Sequence, residues 1–223
     1  MAPHHYKIEG NVMRRFGSLK RKPASRSPSK KVFVFGEGAV TERDYFAAMQ
    51  EKMNKSLIQI NYRGGIGVPL TVVEAALQHI KDLARTRKGG RKNSFEKNDE
   101  IWVIFDRDEH PSFVQAKNIC EIKKINFIYC DPCFELWLVL HFQDCDAPTH
   151  RKEAQEMAKT LVPGYNPKIR KTGNFDTMMP SLCAAEIRAK KQRLRRREEG
   201  KDDGNPSTNF YEFTEKFREF FCS

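Results

Sequence analysis

Val32-Phe33-Val34-Phe35-Gly36-Glu37-Gly38 is where the chain first commits itself to a packed core. Four consecutive apolar residues, β-branched alternating with aromatic and halted by glycine, describe a strand buried on both faces. Upstream, residues 14–31 hold Arg14, Arg15, Lys20, Arg21, Lys22, Arg26, Lys30 and Lys31 among serines and prolines. No apolar period there defines a packed face, so 1–30 reads as a basic arm. Downstream, Thr41 with Asp44 three residues on suits a helix cap, and Tyr45, Phe46 and Met49 follow at helical spacing. A helix is expected over 41–54. Residues 57–62 then alternate as a second strand, closed by Gly64 and Gly65. Behind Pro69, Val72, Val73, Ala76, Leu77, Ile80 and Leu83 trace one face of a helix running toward Lys88.

A basic connector, Gly89 to Lys97, leads into Ile101-Trp102-Val103-Ile104-Phe105, a third buried strand. A helix over 112–123, a strand over 125–129 and a buried helix over 134–142 complete the rhythm. Strands alternating with helices predict an α/β fold, an open parallel sheet of about four strands with helices on both faces, over 31–145. Residues 146–223 read as a helical extension: a helix near 150–161, a loop holding Pro163, Gly164, Pro167 and Gly173, a strongly basic helix, and a last amphipathic one. In that last helix Phe210, Phe213, Phe217 and Phe220 or Phe221 form a stripe that reads most simply as core.

The 40 Lys+Arg exceed the 29 Asp+Glu by 11 charges, a balance that favours a polyanionic partner and makes nucleic acid the leading class. No run approaches the roughly 18 apolar residues needed to cross a bilayer, and the basic N-terminus has no apolar segment behind it. A soluble, cytoplasmic protein without a membrane partner is expected. Six cysteines at irregular spacing read as reduced thiols. Cys130 and Cys133 form a single CxxC with no second pair to complete a zinc site, so they read as small apolar residues at a strand end.

In an open parallel sheet, ligands gather beyond the carboxyl ends of the strands. Two acidic sequences fall there: Gly36-Glu37-Gly38 after the first strand and Asp106-Arg107-Asp108 after the third. In extended chain Asp106 and Asp108 point to one side, so both carboxylates can face one hard cation, and Glu37 joins them if the two strands are neighbours. Magnesium or manganese needs only one or two such carboxylates beside waters and phosphate oxygens. A DxD alone marks little more than a surface turn; its place behind a buried strand gives it weight.

These residues resemble the RloB-like family, and through it the TOPRIM fold of primases, type II topoisomerases and OLD-type nucleases. The resemblance rests on Glu37-Gly38-Ala39-Val40-Thr41-Glu42 with Tyr45-Phe46, on Phe105-Asp106-Arg107-Asp108, on Pro132-Cys133-Phe134-Glu135-Leu136-Trp137-Leu138-Val139-Leu140-His141-Phe142, and on Asn205-Pro206-Ser207-Thr208. It implies a TOPRIM-like sheet, acid–base work for Glu37 and metal binding by Asp106 and Asp108. It further implies phosphodiester cleavage of RNA, tRNA among the candidates, or of DNA, in antiviral defence beside a companion ATPase. Strand passage and primer synthesis need further domains. The chain itself carries no Walker-type Gly-Lys-Ser/Thr loop. Homo-oligomerisation is left open, as is a non-catalytic nucleic-acid-binding or ATPase-partner subunit that retains the TOPRIM shape.

By the same resemblance Glu42 takes the place of a second-metal ligand; a first-turn acid favoured by the helix macrodipole is the alternative. Within 134–142 core packing does not account for Glu135 and His141, which enter as candidate site residues. Six positions apart, they share no helical face and would each meet the site separately. For nucleic-acid contacts the candidates are Arg170 and Lys171 in one short basic cluster, and Arg188, Lys191 and Arg195 within a ten-residue run of seven cations from Arg188 to Arg197.

Overall fold

A computed structural model describes residues 30–88, 99–107, 111–169 and 171–221. The expected arm, the connector after Lys88, Asp108 and Arg170 lie outside the described residues. Strand β1 (Lys30–Gly36) is followed by α1 (Thr41–Glu51), β2 (Ile58–Arg63), α2 (Pro69–Lys88), β3 (Glu100–Asp106), α3 (Phe113–Lys123), β4 (Asn126–Asp131) and α4 (Glu135–Leu140). Then come α5 (Arg151–Leu161), a 3-10 segment (Phe175–Ser181), α6 (Leu182–Glu198), β5 (Ser207–Thr208) and α7 (Phe210–Lys216).

The sheet runs in the order β2-β1-β3-β4-β5. The first four strands are mutually parallel, as the strand–helix rhythm predicts, and β5 adds an antiparallel edge that the sequence did not announce. From β1 the chain steps to one side to make β2, then crosses back to place β3 on the other side. The reversal of strand order therefore falls between β1 and β3, the point at which open α/β sheets form their ligand crevice.

Strand alternation feeds two cores. Val32, Val34, Trp102, Ile104, Ile128 and Cys130 face a layer made by α1, α4, α6 and α7, while Phe33, Phe35, Val103, Phe105 and Tyr129 pack with residues of α2 and α3. The first core is aromatic at its centre: Trp137 stacks on Phe210 with centroids 4.7 Å apart, and Tyr45 meets Phe134 and Phe210 edge-on. Phe210, Phe213 and Phe217, read from their spacing as core, are fully buried here.

The C-terminal segment is tied in by side-chain hydrogen bonds as well. Asn209 Oδ1 accepts from the Tyr129 N–H at 2.8 Å and its Nδ2 donates to Phe127 O at 3.0 Å, closing the edge of β4 beyond the short β5. Asn205 Nδ2 donates to Asp131 Oδ1 at 2.7 Å and to Thr149 O at 2.9 Å.

One local expectation is corrected. Thr41 does not cap α1; Val40 holds that position without a side-chain cap. The Thr41 hydroxyl donates to Lys171 O at 2.8 Å and Asp44 accepts from the Thr172 hydroxyl, so both are drawn to the segment after α5. Cys130 and Cys133 are buried free thiols, raised well above the ordinary thiol range by burial, which suits packing.

Because Phe210 fills the centre of the larger core, Phe210→Ala is expected to cost about 3–5 kcal/mol in urea unfolding. Ile187→Ala, at a side chain 67 % exposed on α6, should change stability by less than about 0.5 kcal/mol.

Candidate active site

The β1–β3 register pairs Gly36 with Ile104, which brings the residue after β1 level with the end of β3. Glu37 Oε1 accepts from the backbone N–H of Asp106 at 3.2 Å. The two acidic sequences chosen for their strand-end positions thus meet through Glu37 and Asp106. A Cβ at Gly38 would overlap the Glu42 carboxylate, so a side chain there would push that carboxylate from its place over the loop. Tyr62 steadies that loop, its hydroxyl donating to Gly38 O at 2.7 Å.

Asp106 is engaged on both oxygens: Oδ1 accepts from the Phe134 N–H at 2.9 Å, and Oδ2 from Arg151 Nη2 at 2.9 Å. Glu135, the first residue of α4, is buried and accepts from the Tyr165 hydroxyl. Glu37, Glu42, Asp106 and Glu135 line a single cleft of about 310 Å³ together with Arg151, Gln155 and Lys171.

Its electrostatics are set first by burial and then by neighbouring acids. Burial raises Asp106 well above the usual carboxylate range, and the charges of Glu42, Glu135 and Glu37 push it further while Arg151 opposes them. Glu42 is raised to about 7, first by burial and then by Glu135, with its own backbone N–H, Lys171 and Arg151 acting the other way. The cleft gathers four carboxyl groups against two cations. Such an all-oxygen donor set fits a hard divalent cation, which takes few protein ligands. Glu37, Asp106 and Glu42 are the described residues that would hold it. Among the described residues no three His, Cys, Asp or Glu side chains are gathered closely enough to hold a metal ion, so Glu37, Asp106 and Glu42 would have to draw together around it.

Other candidates are placed elsewhere. His141 lies in the aromatic core, 2 % exposed. Its Nε2 accepts from the Tyr45 hydroxyl at 2.9 Å, and its Nδ1–H donates to Met178 O at 3.0 Å. Burial lowers it to about 4, so it is neutral at physiological pH. The expectation of a catalytic His141 is corrected: the turn of α4 that points Glu135 into the cleft points His141 into the core.

The cations from Arg188 to Arg197, candidates for nucleic-acid contacts, are mostly engaged with other residues. Arg188 donates to Leu140 O at 2.7 Å, Arg195 pairs with Asp146, Arg193 with Glu212 at 2.7 Å and Arg197 with Asp202 at 3.0 Å. Helix α6 buries Leu182, Ala185, Ala189 and Gln192, and its cations fasten it to neighbouring segments. Lys191 is exposed on its outer face. Of the predicted basic residues, Lys171 alone among those described lines the cleft.

Arg151, Gln155 and Tyr165 escaped the sequence reading. Nothing local marks Arg151, which sits in an ordinary charged helix start; only the docking of α5 onto α4 brings it to Asp106.

No curated protein and no solved structure matches the chain. A family model described as RloB-like protein matches residues 32–217, from β1 to the end of α7. The match covers the sheet, both cores and every described residue of the cleft, and the chain therefore belongs to the RloB-like protein family.

Proposed function

We propose that this chain is a divalent-metal-dependent nuclease that hydrolyses phosphodiester bonds in RNA or DNA. The observation that carries this reading is the convergence of Glu37, Glu42, Asp106 and Glu135 with Arg151 and Lys171 in one cleft at the strand-order reversal. Acids alone would repel a phosphate and cations alone would only bind one; the mixture suits a metal-bridged anionic substrate. When bound, magnesium or manganese supplies polarisation of the phosphoryl oxygen and a water of lowered pKa. Glu37, half-buried and held by the Asp106 N–H, is placed to take a proton from an attacking water. Arg151 and Lys171 are placed to hold non-bridging phosphate oxygens. Glu42 would serve as a further carboxylate for the cation, which displaces the proton that burial favours.

On the family resemblance, we place this activity in the cytoplasm, in antiviral defence beside a companion ATPase that would contribute the nucleotide-driven step. Among the described residues no helix is long and apolar enough to cross a membrane.

Incubating the purified chain with labelled tRNA, single-stranded DNA and duplex DNA, with and without Mg²⁺ or Mn²⁺, tests the proposal. Cleavage is expected only with metal, lost in Asp106→Ala and reduced about 10²–10⁴-fold in Glu37→Gln. Binding without cleavage, indifferent to Asp106→Ala, would instead establish a non-catalytic module.

The raised pKa of Glu42 gives a separate test. The folded state favours its protonated form, so the associated stability is complete below the unfolded value of about 4.5 and declines as pH rises toward about 7. The full loss is about 3 kcal/mol. In the presence of a chelator, urea unfolding between pH 4.5 and 8 should show this fall in the parent chain and a flatter profile in Glu42→Gln. Added Mn²⁺ should offset the fall in the parent.

A further inference from the structure

Arg151 occupies a particular place. It is the first residue of α5, its side chain is 38 % exposed, and it lines two adjoining clefts: the acidic one and a second of about 330 Å³ bounded by Asp131, Pro132, Thr149 and Asn205. The residue is shared by both clefts, and its guanidinium sets Nη2 on Asp106 Oδ2 at 2.9 Å. The other oxygen of Asp106 is held by the backbone of Phe134. A divalent cation seeking Asp106 Oδ2 would thus approach a fixed positive charge, and the two would compete for one oxygen.

A phosphate alters that competition. Guanidinium binds carboxylate and phosphate oxygens by the same paired N–H geometry, so a phosphate entering either cleft offers Arg151 a partner equivalent to Asp106. Once Arg151 turns to the phosphate, Asp106 Oδ2 is released to a cation, and the cation's field in turn favours the phosphate. Lys171 lines the same cleft, but its field falls on Glu42. It makes a natural control for charge without a hydrogen bond to Asp106.

We infer that Arg151 is a positioning residue that couples cation binding to phosphodiester binding: paired with Asp106 it keeps the metal site weak, and the substrate phosphate, by drawing the guanidinium away, completes the site. The inference rests on the metal-dependent reading above. Linkage then requires reciprocity, the substrate tightening the cation by the factor with which the cation tightens the substrate. A chain built this way stays poorly loaded with metal, and hence inert, until nucleic acid arrives.

The test reads metal binding and not turnover. Mn²⁺ is titrated into the whole chain and followed by electron paramagnetic resonance, with and without a short phosphorothioate oligonucleotide that resists cleavage. In the parent chain the oligonucleotide should tighten Mn²⁺ at least about fivefold. Arg151→Gln without oligonucleotide should bind Mn²⁺ about tenfold more tightly than the parent, the equivalent of one released charged hydrogen bond. It should gain little more from the oligonucleotide, and Lys171→Gln should shift the affinity much less. Arg151→Lys, which keeps the charge at the helix start but loses the fork, should fall between parent and Arg151→Gln, and it serves if the glutamine variant folds poorly.

Equal tightening in Arg151→Gln and Lys171→Gln would reduce the effect to general charge and overturn the coupling. So would an unchanged affinity in Arg151→Gln, or oligonucleotide enhancement that survives it. In those cases Mn²⁺ binding that disappears in Asp106→Asn would leave the metal site standing. If no variant binds Mn²⁺ at all, the metal-dependent reading falls and the coupling with it.

Discussion

The register between β1 and β3 is the constraint from which the rest follows. Pairing of Gly36 with Ile104 sets Glu37 beside the end of β3, where the Asp106 N–H reaches its carboxylate. A slip of one residue would carry Glu37 out of reach and turn each β1 side chain to the opposite face of the sheet. The two cores resist such a slip. Val32 and Val34 fit an aromatic layer that includes Trp137 and Phe210, while Phe33 and Phe35 fit the smaller space above α2 and α3. Exchanging valines for phenylalanines would overpack one layer and leave voids in the other, each a cost of a few kcal/mol. Apolar packing well away from the cleft thereby holds the Glu37 carboxylate within hydrogen-bond reach of the Asp106 backbone N–H.

That relation is electrostatically uncomfortable, and the structure tolerates it through partners drawn from distant sequence. Buried carboxylates need hydrogen bonds or cations. Asp106 receives Arg151 and the Phe134 N–H, Glu135 receives the Tyr165 hydroxyl, and Glu42 feels Lys171. Among the described residues, positive charge is put to two distinct uses. Along α6 it is largely paired with nearby acids, as in Arg193 with Glu212 and Arg197 with Asp202, and holds helices together. In the cleft, Arg151 and Lys171 face acids that outnumber them. The formal charge of the chain says little about which of these uses a given cation serves.

The sequence exposes one kind of information well and another poorly. The parallel strands, the helices between them and the aromatic stripe of Phe210, Phe213 and Phe217 were all legible, because burial periodicity is a local property of the chain. Glu37 and Asp106 were legible for a related reason: both directly follow buried strands, and strand ends in a parallel sheet are where ligands collect. Strand β5 was not, since two residues held by a pairing to β4 and by the side chain of Asn209 leave no period to read. Arg151 and Tyr165 were invisible because their roles arise from the docking of α5 and the segment after it. His141 misled in the opposite sense. A histidine beside a candidate acid invites a catalytic role, but its ring completes a buried chain in which Trp137 Nε1 donates to the Tyr45 hydroxyl and that hydroxyl donates to His141.

The segment after α5 shows why the candidate site cannot be assigned to the first half of the chain alone. Thr41 donates to Lys171 O, Thr172 donates to Asp44, and Tyr165 donates to Glu135. Three hydrogen bonds from one short stretch thus clamp onto the start of α1 and the start of α4, the two helix beginnings that carry Glu42 and Glu135. With α5 docked against α4, Arg151 is held at Asp106 by the same assembly. The acids of the cleft come from residues 37–135 and its cations from residues 151–171, so neither half holds a balanced site. What reads in sequence as an appended helical region supplies the positive charge that faces four carboxyl groups in one crevice.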